Sequence, residues 1–258
     1  MALRLLALGD SITDGGVKAR AWRYHLHASL SREGRSVRWL GSMLGVYDRK
    51  IGELCKFLAA RRNATAGAPL GSEADWPRQG KWQGLRCCLG TIGSLSAPPH
   101  AALLHIGTND LTKRVLREGA RVASVTTQLS AVPPHASPLC LGVSVASATV
   151  LLALPIPHCR GGEAAQRRRR GVEADYHARL EGIAARQSEM LRRKPPTACP
   201  VARLRVVNMS TAVTCRMLID GIHPDRRGAA HMAAAWMEGM RTDGLLELNI
   251  HINSWPAQ

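Results

Sequence analysis

Short apolar runs, each ended by glycine, proline or a polar cluster, alternate along this chain with stretches of helical period. That alternation constrains the fold most. Strands buried on both faces read as nearly continuous apolar runs and need helices to cover them. The runs are Ala2–Leu8, Val37–Leu40, Ala101–Ile106, Thr149–Ile156 and Leu204–Met209. Between them, Trp22, Leu26 and Leu30 recur at helical spacing and stop before Gly34. Leu111, Val115, Val122, Val125 and Leu129 form a second stripe, and Tyr176, Leu180, Ile183, Gln187 and Leu191 a third. A closing helix carries Ala229, Met232, Ala233, Trp236, Met237 and Met240, where the sulfur and indole groups read as core rather than ligand contacts. The economical architecture is a three-layer α/β/α domain of flavodoxin-like type, with a five-stranded parallel sheet.

A chain of 258 residues can bury a sizeable core, and one domain spanning 1–258 is the simplest organisation. Two segments fit it badly. Residues 45–96 hold scattered arginine, glycine and proline with weak periodicity, and residues 133–172 carry Pro133-Pro134 and the run Arg167–Arg170. Both read as irregular insertions, and the four-arginine run as a solvated loop. The balance of 35 basic against 19 acidic residues leaves +16, which would suit a polyanion. Yet the basic residues are mostly arginine beside abundant alanine, glycine and proline, a bias that codon usage alone produces. Nucleic acid is therefore not the expected partner.

The seven cysteines are odd in number and form no C-x-x-C pair, so they predict idle or buried thiols rather than a metal site. The uncharged stretch Leu139–Leu154 has 16 residues, too few for the roughly 20 that a spanning helix needs, and contains Gly142, Ser144, Ser147 and Thr149. The apolar part of the amino terminus is too short for a signal peptide. As it stands, the sequence predicts a cytoplasmic protein, and a secreted one if a leader is missing.

In open α/β sheets the working site lies beyond the carboxyl ends of the strands. After the first strand comes Gly9-Asp10-Ser11-Ile12, after the third Gly107-Thr108-Asn109-Asp110, and after the fifth Asp220-Gly221-Ile222-His223-Pro224-Asp225. Taken singly, these are an ordinary turn, a helix cap and a helix entry. Jointly, in order and each at a strand end, they are the parts of an acyl-transfer site. The Ser11 hydroxyl needs a base to become a nucleophile, and His223 is the natural one. Asp220, three residues earlier, can hold the imidazole in the required tautomer. The Ser11 backbone N–H and the Asn109 side-chain amide can serve as donors to an oxyanion. The other histidines lack an acidic partner at that spacing in a comparable setting.

These blocks resemble those of the SGNH, or GDSL-like, hydrolases, and they span the chain from Gly9 to Pro224. Arg23-Tyr24, Trp39-Leu40-Gly41-Ser42 and Leu104-His105-Ile106-Gly107-Thr108-Asn109-Asp110 are similar to the acetylxylan-esterase-like branch, carbohydrate esterase family three. The resemblance implies Ser11 as nucleophile, Asp220 and His223 as its triad partners, and Asn109 as an oxyanion donor, with neither metal nor organic cofactor. It also implies a glycine N–H in the oxyanion hole. The branch usually has His-Glu-Gly-x-x-Gly there, whereas this chain has Arg78-Gln79-Gly80-Lys81-Trp82-Gln83-Gly84. That departure assigns the role to Gly84, with Gly80 as rival.

The expected activity is removal of short acyl groups, most simply acetyl, from a carbohydrate or similar small alcohol. Two alternatives stand beside it. One is a lysophospholipase or thioesterase, against which the single Phe, three Tyr and six Trp argue, since a deep acyl tunnel is aromatic-rich. The other is a non-catalytic polyanion-binding protein, which would need the arginines gathered on one face.

Overall fold

The computed structural model describes residues 2–15, 21–40, 43–44, 56–59, 99–108, 111, 148–193 and 201–247. Five strands form a parallel sheet: β1 (Leu3–Gly9), β2 (Val37–Leu40), β5 (Ala101–His105), β6 (Ala148–Leu154) and β7 (Val201–Asn208). Their order is β2-β1-β5-β6-β7. The chain passes from β1 to a neighbour on one side and later returns to the other. A topological switch point, where ligand crevices open, therefore lies between β1 and β5. Two short strands extend the β1 edge. β4 (Lys56–Ala59) pairs in parallel with Leu8 and Gly9, and β3 (Met43–Leu44) pairs antiparallel with β4. β4 falls within the segment that the sequence reads as irregular.

Alternation along β1 explains the layering. Leu3, Leu5 and Ala7 join one buried cluster, while Leu6 and Leu8 join another on the opposite face. The first cluster lies under helices α2 (Trp22–Arg32) and α4 (Arg226–Thr242). The Trp22 and Trp236 rings meet there at a centroid distance of 5.4 Å, with Trp39 edge-on to Trp22 at 6.3 Å. The closing-helix Met and Trp residues are thus core, as their periodicity predicts. The second cluster lies under α3 (Glu163–Arg193), through Tyr176, Leu180 and Ala184. Helices on both faces of a parallel sheet make the three layers that the sequence predicts.

Three expectations need correction. Arg167–Arg170 is not a loop but lies on α3, with Arg169 buried and its three neighbours exposed. Two of the cysteines are not idle, because Cys159 and Cys215 form a disulfide. The other five cysteines lie outside the described residues. Two element starts also differ: β7 begins at Val201 rather than Leu204, and α3 begins at Glu163, inside the segment 133–172 that the sequence reads as irregular. The helix expected from Leu111 to Leu129 lies outside the described residues apart from Leu111.

The C-terminal end of α4 is latched to the sheet by a buried carboxylate. Asp243 accepts a hydrogen bond from Thr149 Oγ1 at 2.8 Å and another from Arg205 Nε at 3.0 Å. Its carbonyl accepts a third from Arg203 at 2.9 Å. A carboxylate this buried is tolerable because it is both paired and hydrogen-bonded. Among the described residues no helix is long and apolar enough to cross a membrane.

Candidate active site

Ser11 opens α1 (Ser11–Asp14), a single helical turn at the carboxyl end of β1. Asp10 caps that turn, its Oδ1 accepting from Ile12 N at 3.0 Å. Gly15, in the left-handed region at φ 97°, closes it by donating to the Ser11 carbonyl. Sharp exit from the strand requires Gly9, because a Cβ there would sit 2.1 Å from Thr13 Oγ1 and 2.3 Å from the His105 carbonyl. Behind the turn, the fully buried Arg23 donates from Nε to the Thr13 carbonyl at 2.9 Å and from Nη2 to the Asp14 carbonyl at 3.3 Å. It caps the free carbonyls of the helix that carries Ser11. Sequence reasoning missed this role, although an arginine inside the apolar stripe of α2 was a usable signal.

Asp220 and His223 come from the connection between β7 and α4. A short 3₁₀ helix (Cys215–Met217) leads into it, and an antiparallel bridge joins Leu218 to Pro224. Ile219 N donates to the His223 carbonyl at 2.8 Å, and Gly221 turns the chain at φ 77°. Asp225 then caps α4, accepting from Gly228 N at 2.7 Å. The pinched loop therefore sits on the amino end of α4, a helix with Met232, Ala233, Trp236, Met237 and Met240 buried in the core.

The two loops meet. His223 Nδ1 lies 2.9 Å from Asp220 Oδ2, and His223 Nε2 lies 3.0 Å from Ser11 Oγ. With the proton on Nδ1, as the carboxylate dictates, His223 donates to Asp220 and its bare Nε2 accepts from the Ser11 hydroxyl. Asp220 Oδ1 accepts from Ile222 N at 3.0 Å and His223 N at 2.8 Å, while Oδ2 also accepts from Arg160 Nη2 at 2.7 Å. Burial would raise the Asp220 pKa. The backbone and side-chain hydrogen bonds from His223, its charge and the Ile222 N–H outweigh burial and hold it well below the usual carboxylate range.

Of the residues expected in the site, Ser11, Asp220 and His223 come together. Asn109, Gly84 and Gly80 lie outside the described residues. Gly107, just before Asn109, adopts φ 115° and approaches Tyr176 so closely that a Cβ would meet its hydroxyl oxygen at 2.3 Å. Glycine there lets the chain leave β5 toward the same edge of the sheet as Ser11. Among the described residues no group of three or more His, Cys, Asp or Glu side chains could hold a metal ion.

A hydroxyl, an imidazole and a carboxylate thus stand hydrogen-bonded in series at the carboxyl edge of a doubly wound parallel sheet. Residues 5–236 match the model of the GDSL-like Lipase/Acylhydrolase family, and the chain belongs to that family of ester-cleaving hydrolases. Similar solved structures include a carbohydrate esterase family 3 from Talaromyces cellulolyticus, 19% identical, with a TM-score of 0.58 over 95% of this chain and 98% of that one. A family 3 carbohydrate esterase from Clostridium thermocellum is 18% identical, with a TM-score of 0.55 over 96% and 99%. Est24, a carbohydrate acetylesterase from Sinorhizobium meliloti, is 15% identical, with a TM-score of 0.55 over 93% and 99%. At these identities the likeness is one of fold. No protein with a curated description matches the sequence.

Proposed function

We propose that this hydrolase is a serine esterase removing short acyl groups, acetyl above all, from carbohydrates or similar small alcohols. The observation that carries the reading is the unbroken series Ser11 Oγ, His223 Nε2, His223 Nδ1 and Asp220 Oδ2, with links of 3.0 and 2.9 Å. Ser11 Oγ attacks the ester carbonyl as His223 Nε2 takes its proton. The tetrahedral oxyanion is held by the Ser11 N–H, the Asn109 amide and the Gly84 N–H. The alkoxide then leaves with the proton from His223, giving an acyl-Ser11 ester and free alcohol. Water, deprotonated by the same imidazole, attacks that ester and releases the carboxylic acid. Asp220 stays ionised throughout and stabilises the imidazolium.

The choice of a carbohydrate acetyl ester is supported by the three solved neighbours, whose names describe carbohydrate esterases. The Cys159–Cys215 disulfide supports an oxidising compartment over the cytoplasm, since reducing pools keep cytosolic thiols free. Hydrolysis of p-nitrophenyl acetate, butyrate and octanoate by the wild type and Ser11→Ala tests the reading. Activity should be highest on acetate and vanish in the variant. Preference for octanoate would instead favour the lysophospholipase or thioesterase reading, and no activity from folded protein would overturn esterase function.

A further inference from the structure

The loop after β6 reaches across to the loop that carries Asp220 and His223, and three separate links join them. Cys159 is bonded covalently to Cys215. Its backbone N–H donates to the Gly221 carbonyl at 2.7 Å. Arg160, the next residue, donates from Nε to the Asp220 carbonyl at 2.8 Å and from Nη2 to Asp220 Oδ2 at 2.7 Å. The backbones run so close that a Cβ on Gly221 would lie 3.0 Å from Arg160 N and 3.1 Å from the Cys159 carbonyl carbon. One planar guanidinium thus holds both the main chain and the carboxylate of Asp220. It does so on the oxygen that accepts from His223.

We propose that Arg160, anchored by the Cys159–Cys215 bond, is a positioning residue that fixes the Asp220 carboxylate and through it the tautomer and aim of the His223 ring. The proposal rests on the esterase reading for its kinetic consequence but not for its geometry. Its value cannot be stability. The pair is exposed, with 51% of the Arg160 and 35% of the Asp220 side chain open to solvent, and such pairs stabilise a fold by about 0–1 kcal/mol. Orientation is what two N–H donors in a rigid fork supply and a point charge does not. The loop's own N–H groups, from Ile222 and His223, hold only Oδ1 of Asp220, so Arg160 supplies the donor from outside the loop that fixes Oδ2, the oxygen facing the His223 ring.

The test compares the wild type with Arg160→Met and Arg160→Lys, each shown by thermal unfolding to be folded. With p-nitrophenyl acetate, Arg160→Met should lower kcat on the order of ten-fold with KM nearly unchanged, the signature of a misaimed group rather than a lost substrate contact. Arg160→Lys should recover part of that loss. A kcat at or above wild type, or a raised KM with unchanged kcat, overturns the proposal. The tautomer of His223, read from its ring nitrogen shifts by NMR, decides independently of turnover. It should be the Nδ1–H form in wild type and become mixed in Arg160→Met; an unchanged ring in that variant overturns the positioning role. Failure of wild type to cleave any ester would overturn the esterase reading and leave the NMR result to decide Arg160.

Discussion

Ser11 Oγ and His223 Nε2 stand 3.0 Å apart although 212 residues separate them in the chain. Their meeting is a product of topology. β1 is central and β7 is the far edge of the sheet, yet the connection after β7 crosses back to α4, which packs beside α2 on the β1 side. The loop before α4 is thereby delivered over the carboxyl end of β1.

Replacing Asp220 with Asn removes the charge that stabilises the imidazolium and lets the ring take the wrong tautomer. The expected loss in kcat is about 10³–10⁴-fold, with KM within a few-fold of wild type. Because Asp220 is partly exposed, the melting temperature should hardly move. Steady-state kinetics beside thermal unfolding check both statements, and a large loss of stability would count against them.

Gly9→Ala should be costly for a reason visible before any measurement. Its Cβ would overlap the His105 carbonyl and the Thr13 side chain, and a carbonyl on a central strand cannot move aside. Overpacking of this kind costs about 1–3 kcal/mol, and a displaced Ser11 should cost activity as well. Chemical denaturation of the variant gives the first quantity and ester hydrolysis the second. A stable, fully active variant would show that the turn after β1 is not as tight as described.

Acid should weaken the fold before it protonates carboxylates. Desolvation lowers the pKa of fully buried His105 to about 4 from 6.5. In His158, burial together with the nearby Arg169 and Arg160 charges does the same, also to about 4. Each is neutral in the native protein, whereas an unfolded histidine takes up a proton below about 6.5. The unfolded state then binds more protons, so stability is full above pH 6.5 and falls progressively toward pH 4, by at most about 3 kcal/mol for His105. Melting temperatures from pH 7.5 to 4.5 test the sign. A flat or rising profile across that window would refute it.

Opening the Cys159–Cys215 bond releases a loop with a sequence separation of 56 residues. Chain entropy puts its contribution at about 4 kcal/mol. The Cys159→Ser, Cys215→Ser double variant should therefore melt well below wild type, and lose turnover in parallel because the loop bearing Asp220 is freed. Equal melting temperatures with and without the bond would show that the two loops are held together by other contacts.

Much of this was legible in the sequence because each feature left a local mark. β1, β5 and β6 are short apolar runs ended by Gly or Pro, and Met232, Trp236 and Met240 keep the period of a buried helix face. Ser11 and His223 stand beside glycines that strand ends and tight turns require. What escaped was long-range and left no such mark. Cysteine spacing does not encode a bond between residues 159 and 215, which depends on two loops meeting in space. Nor does an unbroken run of four like charges, Arg167–Arg170, reveal that Arg169 alone among them turns inward on α3. Arg160 reads in the sequence as one more member of a basic composition, and only its partner Asp220 distinguishes it; Arg23 is marked by its place in an apolar stripe, but its partners, the carbonyls of α1, are not.

Labelling with a serine-directed fluorophosphonate, followed by intact mass and peptide mapping, tests the central claim most directly. The account predicts one adduct, on the peptide bearing Ser11, absent from Ser11→Ala and formed far more slowly in His223→Ala. An adduct on another residue, or none on a folded protein, would contradict it.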